Sequence, residues 1–254
     1  MKNNIQITLY EVFGYFLPGV MAFASIFILS WAIFWPTSVL ELRTFPIELL
    51  ASAALGCYFL GHAMHALGGI LGQPESSAFD DPDPAPRTVI GNIVAMVKIV
   101  FGAIQKRPVW FPHDIVQSAR EHASRLTGIE PAKITNPLLF GFCDETLAQE
   151  GQIGDREIYQ YRAGFYKSMS MALIVSVIAV LACITHPGMS VEHKGHVFQL
   201  TLIQYVALLI ALLVILISYI RKYYWFAQHR ARRAVLAFII LRESARTPID
   251  TRRS

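Results

Sequence analysis

The residues in this chain best placed to do chemistry are two histidines in an apolar setting. His62 and His65 stand in Gly61-His62-Ala63-Met64-His65, near the end of a long hydrophobic run. Three positions apart, they share a helix face. Ionisable groups within such a run are functional candidates by default, because hydrocarbon penalises them unless they have a partner or a task. Glu11 and Tyr219 fall at the same depth in two other apolar runs, which completes a polar set of Glu11, His62, His65 and Tyr219. A Glu–His–His group could bind a metal, relay protons or respond to pH near neutrality. Imidazoles can also simply hydrogen-bond between helices, for about 1 kcal/mol. The structural reading is favoured, since zinc proteases need two histidines at i, i+4 with an interposed Glu. No nucleophile accompanies the pair, so catalysis, a resident metal and a cofactor are not expected.

A second group, His186, His193 and His196 with Glu192, also has metal-ligand chemistry within eleven residues. No helical or strand pattern around it would fix those side chains, and a solvated loop is the expectation. Tyr223-Tyr224-Trp225-Phe226, followed by arginines, could suggest base stacking. Aromatics directly beyond an apolar run are more simply an interfacial belt, and nucleic acid is not an expected partner. Cys57, Cys143 and Cys183 match no zinc spacing and imply no disulfide framework. Gly-rich phosphate loops, Gly-x-Ser-x-Gly elbows and paired carboxylates on an apolar run do not occur.

Four apolar runs must position these groups: residues 12–35, 47–71, 168–185 and 198–220. A hydrocarbon core about 30 Å thick needs roughly 20 helical residues, and each run meets that length or comes within tilt of it. Mean hydropathy is +0.43 and charged residues make up 16% of the chain, against about 25% in soluble domains. Pro18 fits the first turn of a helix but breaks its interior. The first span therefore either kinks there or starts there after an interfacial segment ending at Phe16; the second reading is favoured by Tyr10, Phe13, Tyr15 and Phe16. Residues 87–105 form a fifth apolar stretch, interrupted by Lys98. Crossing there would place Lys98 near mid-membrane at about 2.5–3.5 kcal/mol, so an interfacial or packed helix is expected instead.

Charge sets the orientation. The connections 36–46 and 186–197 hold one Lys or Arg each, whereas 221–254 holds nine against two acids. Residues 73–167 carry ten Lys and Arg with twelve acids. Basic residues beside span ends stay cytosolic, which puts both termini and 73–167 inside. The net charge of +4 then reflects orientation and attraction to anionic headgroups.

The expected architecture is an all-α, four-span bundle. It divides into 1–72 with spans 1 and 2, a cytosolic region 73–167, spans 3 and 4 over 168–220, and a basic tail 221–254. After an acidic, proline-rich linker (73–86), helices are signalled over 114–127, closed by Gly128, and from Asn136 as N-cap with Pro137 at the first helical position to Gly151. The third and fourth spans continue without a breaker over 156–168 and 221–246, as long cytosolic extensions. Val235, Phe238 and Ile239 give the last extension an apolar face, read as the contact between protomers of a homo-oligomer. Small residues four apart in the second and third spans permit close helix approach.

Three short motifs carry a family resemblance. Tyr10-Glu11-x-x-Gly14-Tyr15-x-x-Pro18-Gly19, Gly61-His62 followed by Ala66 and Gly68, and Gly164-Phe165-Tyr166-Lys167-Ser168 resemble, in order, those of small bacterial four-span membrane proteins of the kind found in antiphage defence loci. Lys167 stands where that family more often has Arg. The resemblance implies an inner-membrane sensor or membrane-disrupting effector, with a cytosolic protein or small molecule as signal and the lipid bilayer as setting. Competing readings are a membrane enzyme using Glu11, His62 and His65, and a transporter or ordinary channel subunit. Four spans without an inverted repeat disfavour a standalone transporter.

Overall fold

The computed structural model describes residues 12–34, 39–41, 47–72, 113–151, 156–185, 190–193 and 196–246. Glu11, His186, the linker, the stretch 87–105 and the last eight residues lie outside them. The order is a π-helical turn (Val12–Phe16), α1 (Leu17–Phe34), β1 (Val39–Glu41), α2 (Ile47–Leu67) with a 3-10 turn (Gly68–Leu71), α3 (His113–Thr127), a 3-10 turn (Pro131–Lys133), α4 (Asn136–Gln149), α5 (Arg156–Thr185), β2 (Ser190–His193), β3 (His196–Phe198) and α6 (Leu202–Arg246). Among the described residues, four helices are long and apolar enough to cross a membrane: Phe13–Phe34, Leu50–Leu71, Glu157–Thr185 and Leu202–Ser244.

The described chain divides into two compact units. The first comprises the residues up to Gly72 and Tyr161–Tyr223. At one end, Trp31 and Ala32 of α1 pack with Val180 and Cys183 of α5 and Tyr205 of α6. At the other, Ala22, Met64 and Ala172 bring α1, α2 and α5 together. Between these layers the hydroxyls of Ser25 and Ser176 lie 2.7 Å apart. Each also points at a carbonyl of its own helix, Met21 at 2.8 Å and Ala172 at 2.9 Å. Two protons cannot serve three contacts, so one serine donates across while the other donates back. The helix is continuous across Pro18: the π-helical turn Val12–Phe16 runs directly into α1 at Leu17, and the apolar helix long enough to span begins at Phe13. Phe13, Tyr15 and Phe16 therefore belong to the span helix and not to a separate interfacial segment ending before Pro18. The outward faces of all four helices are strongly apolar, Ile203, Phe34 and Phe59 being 81%, 70% and 63% exposed.

The connections α1–α2 and α5–α6 were expected as loops. Instead, β1, β2 and β3 form a small sheet in that order. β1 runs parallel to β2 with Val39 opposite Ser190, and β2 antiparallel to β3 with His193 opposite His196. This adds a strand component to a chain read as all-α, though helices remain its body.

The second unit comprises the described residues 113–151, 156–160 and 224–246. Val116, Ala119 and Ala123 recur at helical spacing along α3 and meet Leu139, Cys143 and Leu147 of α4. α3 stops at Gly128, whose φ of 73° suits glycine, with its N–H on the Ser124 carbonyl at 2.8 Å. Thr135, not Asn136, is the residue before α4. Asn136 lies one position inside, where its side-chain oxygen accepts from Arg120 at 2.7 Å. Pro137 tolerates the shift, because any first-turn position lacks an intrahelical use for its N–H.

The face of α6 assigned from sequence to contacts between protomers is occupied within one chain. Val235 and Phe238 are 0% exposed, packed with Ala231 and Ala234 into the core made by α3 and α4, and Ile239 packs against its edge. The apolar stripe was read correctly, but its partner is the chain's own α3–α4 pair. Polar contacts frame this core: Arg230 pairs with Asp144 at 2.8 Å, and His122 with Glu243 at 3.0 Å.

Candidate functional site

The two histidines of α2 meet residues from both other motifs, all within the first unit. Close backbone approach makes this possible. A Cβ added at Gly19 would overlap the Cys57 carbonyl, and one at Gly61 the Tyr15 carbonyl, so α1 and the turn before it touch α2 backbone to backbone. Tyr15 is thereby laid on the histidines. Its ring stacks on His62 with centroids 4.0 Å apart and planes at 15°, and meets His65 edge-on at 5.3 Å. Tyr58, one turn earlier on α2, covers His62 from another side at 4.7 Å.

α5 supplies the polar partner. His65 Nδ1 is 3.0 Å from the Ser168 hydroxyl, and Ser168 gives its own proton to the Gly164 carbonyl at 2.8 Å. One serine proton cannot serve both contacts; both are satisfied together when the serine donates to the Gly164 carbonyl and the neutral imidazole donates from Nδ1. Gly164 also makes room: a Cβ there would stand 3.2 Å from His65 Cε1. Nearby, the aliphatic stem of Lys167 lies over Gly68, 2.6 Å from where a Cβ would be. Ser168 is fully buried, whereas His62 remains exposed at its edge.

Of the polar set read from sequence, His62 and His65 are neighbours under Tyr15, and Glu11 lies outside the described residues. The rings in contact with Tyr219 are Phe165 and Tyr166, at 6.1 and 5.2 Å. Among the described residues no group of three or more His, Cys, Asp or Glu is arranged to hold a metal. Sequence reasoning named the motifs containing Tyr15, Gly164 and Ser168 but did not connect them to the histidines. The signal was there in their composition: each motif places glycine beside an aromatic or hydroxyl residue, the pattern of a tight polar helix crossing. Tyr58 had no such marker.

Chemically, this arrangement is a hydrogen-bonded, aromatic-lined junction of three apolar helices. The fold and the junction together define a polytopic helical protein, membrane-spanning by the length and composition of four helices. Comparison with protein-family models, curated proteins and solved structures finds no match to this chain.

Proposed function

We propose that the chain is a multi-pass protein of the bacterial inner membrane, with both termini cytosolic, working as a homo-oligomeric sensor or membrane-disrupting effector in antiphage defence. Its helical cytosolic part receives a protein or small-molecule signal, and its spans respond.

The observation that carries the topology is the pairing of β1 with β2. Residues 39–41 and 190–193 share a ladder, which supports their lying on one side of a bilayer with an even number of crossings between them. α2 and α5 supply two crossings. This supports the four-span arrangement over one with a fifth span, and it leaves the nine basic residues of 221–254 on the side that Lys and Arg favour.

The response part rests on α6. One uninterrupted helix, Leu202–Arg246, holds Tyr205 of the span packing and Val235 and Phe238 of the second core. A ligand that repacks that core acts on a helix that is itself a span. Four spans are too few to enclose an aqueous path comfortably, so a pore requires several protomers. The assignment to defence rests on the three motifs, which the fold gathers at Tyr15, Gly61 and Gly164.

Phage challenge of cells producing the protein, read by plating efficiency and a potential-sensitive dye, tests this together with mass measurement in nanodiscs. The expected result is protection with depolarisation after infection, and an assembly larger than one chain. Unchanged plating with an intact potential, or a monomer at every accessible concentration, overturns it.

A further inference from the structure

The Lys and Arg among the described residues of the first unit all stand at one end of its helices: Arg162 and Lys167 on α5, Arg221 and Lys222 on α6. Its described acids, Glu41, Glu48 and Glu192, belong to β1, the start of α2 and β2, at the other end. At about 1.5 Å per residue, Lys222 is about 30 Å along α6 from Leu202, and Arg162 about 35 Å along α5 from Thr185. A hydrocarbon core is itself about 30 Å thick, so both cations reach the headgroup layer. One turn back toward the spans, Tyr166 and Tyr219 meet at 5.2 Å and Phe165 closes on Tyr219 at 6.1 Å. The seam between α5 and α6 has two rims at this level. On one, the Lys167 stem lies on Gly68 and the Tyr223 hydroxyl donates to the Gly72 carbonyl at 2.8 Å, so the end of α2 closes it. At about 3.6 residues per turn, Arg162 and Lys222 fall on the other rim, and both are exposed. Arg221 falls on the far side of α6.

From this arrangement we propose that Arg162, Tyr166, Tyr219 and Lys222 form a binding site for the phosphate headgroup of an anionic phospholipid of the same bilayer. The inference rests on the reading of α5 and α6 as spans. The guanidinium offers a planar fork to phosphate oxygens, and the ammonium adds a compact charge. The tyrosine rings supply the amphipathic wall between headgroup and acyl chains. A zwitterionic lipid carries the same phosphate with a cation attached, so the two basic residues discriminate against it by charge. They converge on one phosphate only while the seam is closed, and the lipid therefore stabilises the paired helices by mass action.

Native mass spectrometry of the full chain released from nanodiscs of phosphatidylcholine with a minor share of phosphatidylglycerol tests the site. Wild type is expected to retain phosphatidylglycerol in preference to phosphatidylcholine. Arg162→Gln and Lys222→Gln should each lower that retention about fivefold, the worth of one cation beside an anionic surface. Arg162→Lys should lose less than Arg162→Gln. Arg221→Gln removes an equal charge at the same depth on the far side of α6 and should retain the lipid as wild type does. Excess glycerol phosphate in the buffer should not displace it, because a free anion brings no acyl chains. Equal loss in Arg221→Gln overturns the site in favour of diffuse attraction, and displacement by glycerol phosphate overturns it in favour of a soluble anion. A chain that fails to enter nanodiscs overturns the spanning reading itself, whereas entry without lipid preference overturns the site alone. Equal elution volume and helical circular dichroism establish that each variant is folded.

Discussion

Ser168 and His65 join α5 to α2 across 3.0 Å, and the serine hydroxyl also lies 2.8 Å from the Gly164 carbonyl, an arrangement that satisfies every group when the imidazole donates from Nδ1. A nitrogen-resolved NMR spectrum of labelled protein is expected to find the His65 proton on Nδ1. Ser168→Ala should cost about 1 kcal/mol against detergent denaturation, the usual worth of an interhelical hydrogen bond in a membrane. A proton on Nε2 alone would contradict the assignment.

Glycine substitutions in α1 and α2 should separate sharply by position. Gly61→Ala and Gly19→Ala drive a methyl into the Tyr15 and Cys57 carbonyls, and backbone cannot swing aside. Each is expected to cost about 3 kcal/mol or more, the upper range of overpacking. Gly56 faces open space, so Gly56→Ala should be neutral or stabilise by up to about 1 kcal/mol through helix propensity. Titration with sodium dodecyl sulfate, followed by circular dichroism, checks the ranking.

Phe238 is buried within one chain, so its loss should register as unfolding of the second unit. Phe238→Ala is expected to cost about 3–5 kcal/mol, and Phe238→Asp to open α3 and α4 to protease. Limited proteolysis mapped by mass spectrometry reads this directly. Intact α3 and α4 in Phe238→Asp would return the residue to a contact between protomers.

Burial, and secondarily the charge of adjacent Asp144, pushes the Cys143 thiol from its ordinary 9.0 up to about 12. The native protein therefore keeps this thiol protonated where the unfolded chain ionises it. The resulting stability is full below about pH 9 and is lost as pH rises toward 12. Maleimide at pH 8 should leave Cys143 unlabelled until denaturant is added. Cys143→Ala should remove part of the alkaline loss in a pH series of unfolding curves.

Single cysteines at Ser118, Met189 and Ser254, in a background without the native three, read orientation. Met189 should react with an impermeant reagent in intact cells, and the other two only after lysis. External labelling of Ser118 or Ser254 would invert or break the four-span arrangement.

Local signals carried much of this fold into the sequence. Gly128, Gly151 and Pro137 mark the ends of α3 and α4 to within two residues, and the lack of any breaker after Asp155 or before Pro248 foretold the length of α5 and α6. Partner identity was not local. The apolar stripe of Val235 and Phe238 announces that it will be covered, but Val116, Leu139 and Cys143, which cover it, lie about 90 or more residues earlier. The same holds for Tyr15, His65 and Ser168, three legible motifs whose meeting depends on helix packing. Strands of three or four residues such as β1 and β2 offer too short a pattern for alternation to show.

The parallel pairing of β1 with β2 also imposes an order on synthesis. Val39 is made about 150 residues before its partner Ser190. At roughly 5–20 residues per second, the first strand waits on the order of ten seconds for its ladder. Throughout that interval its backbone donors and acceptors lack their native partner, and two further spans must be inserted before closure. The nascent chain thus passes through a stage open to chaperones, to proteases and to strands of a neighbouring copy, and it ends only when the third span has delivered β2.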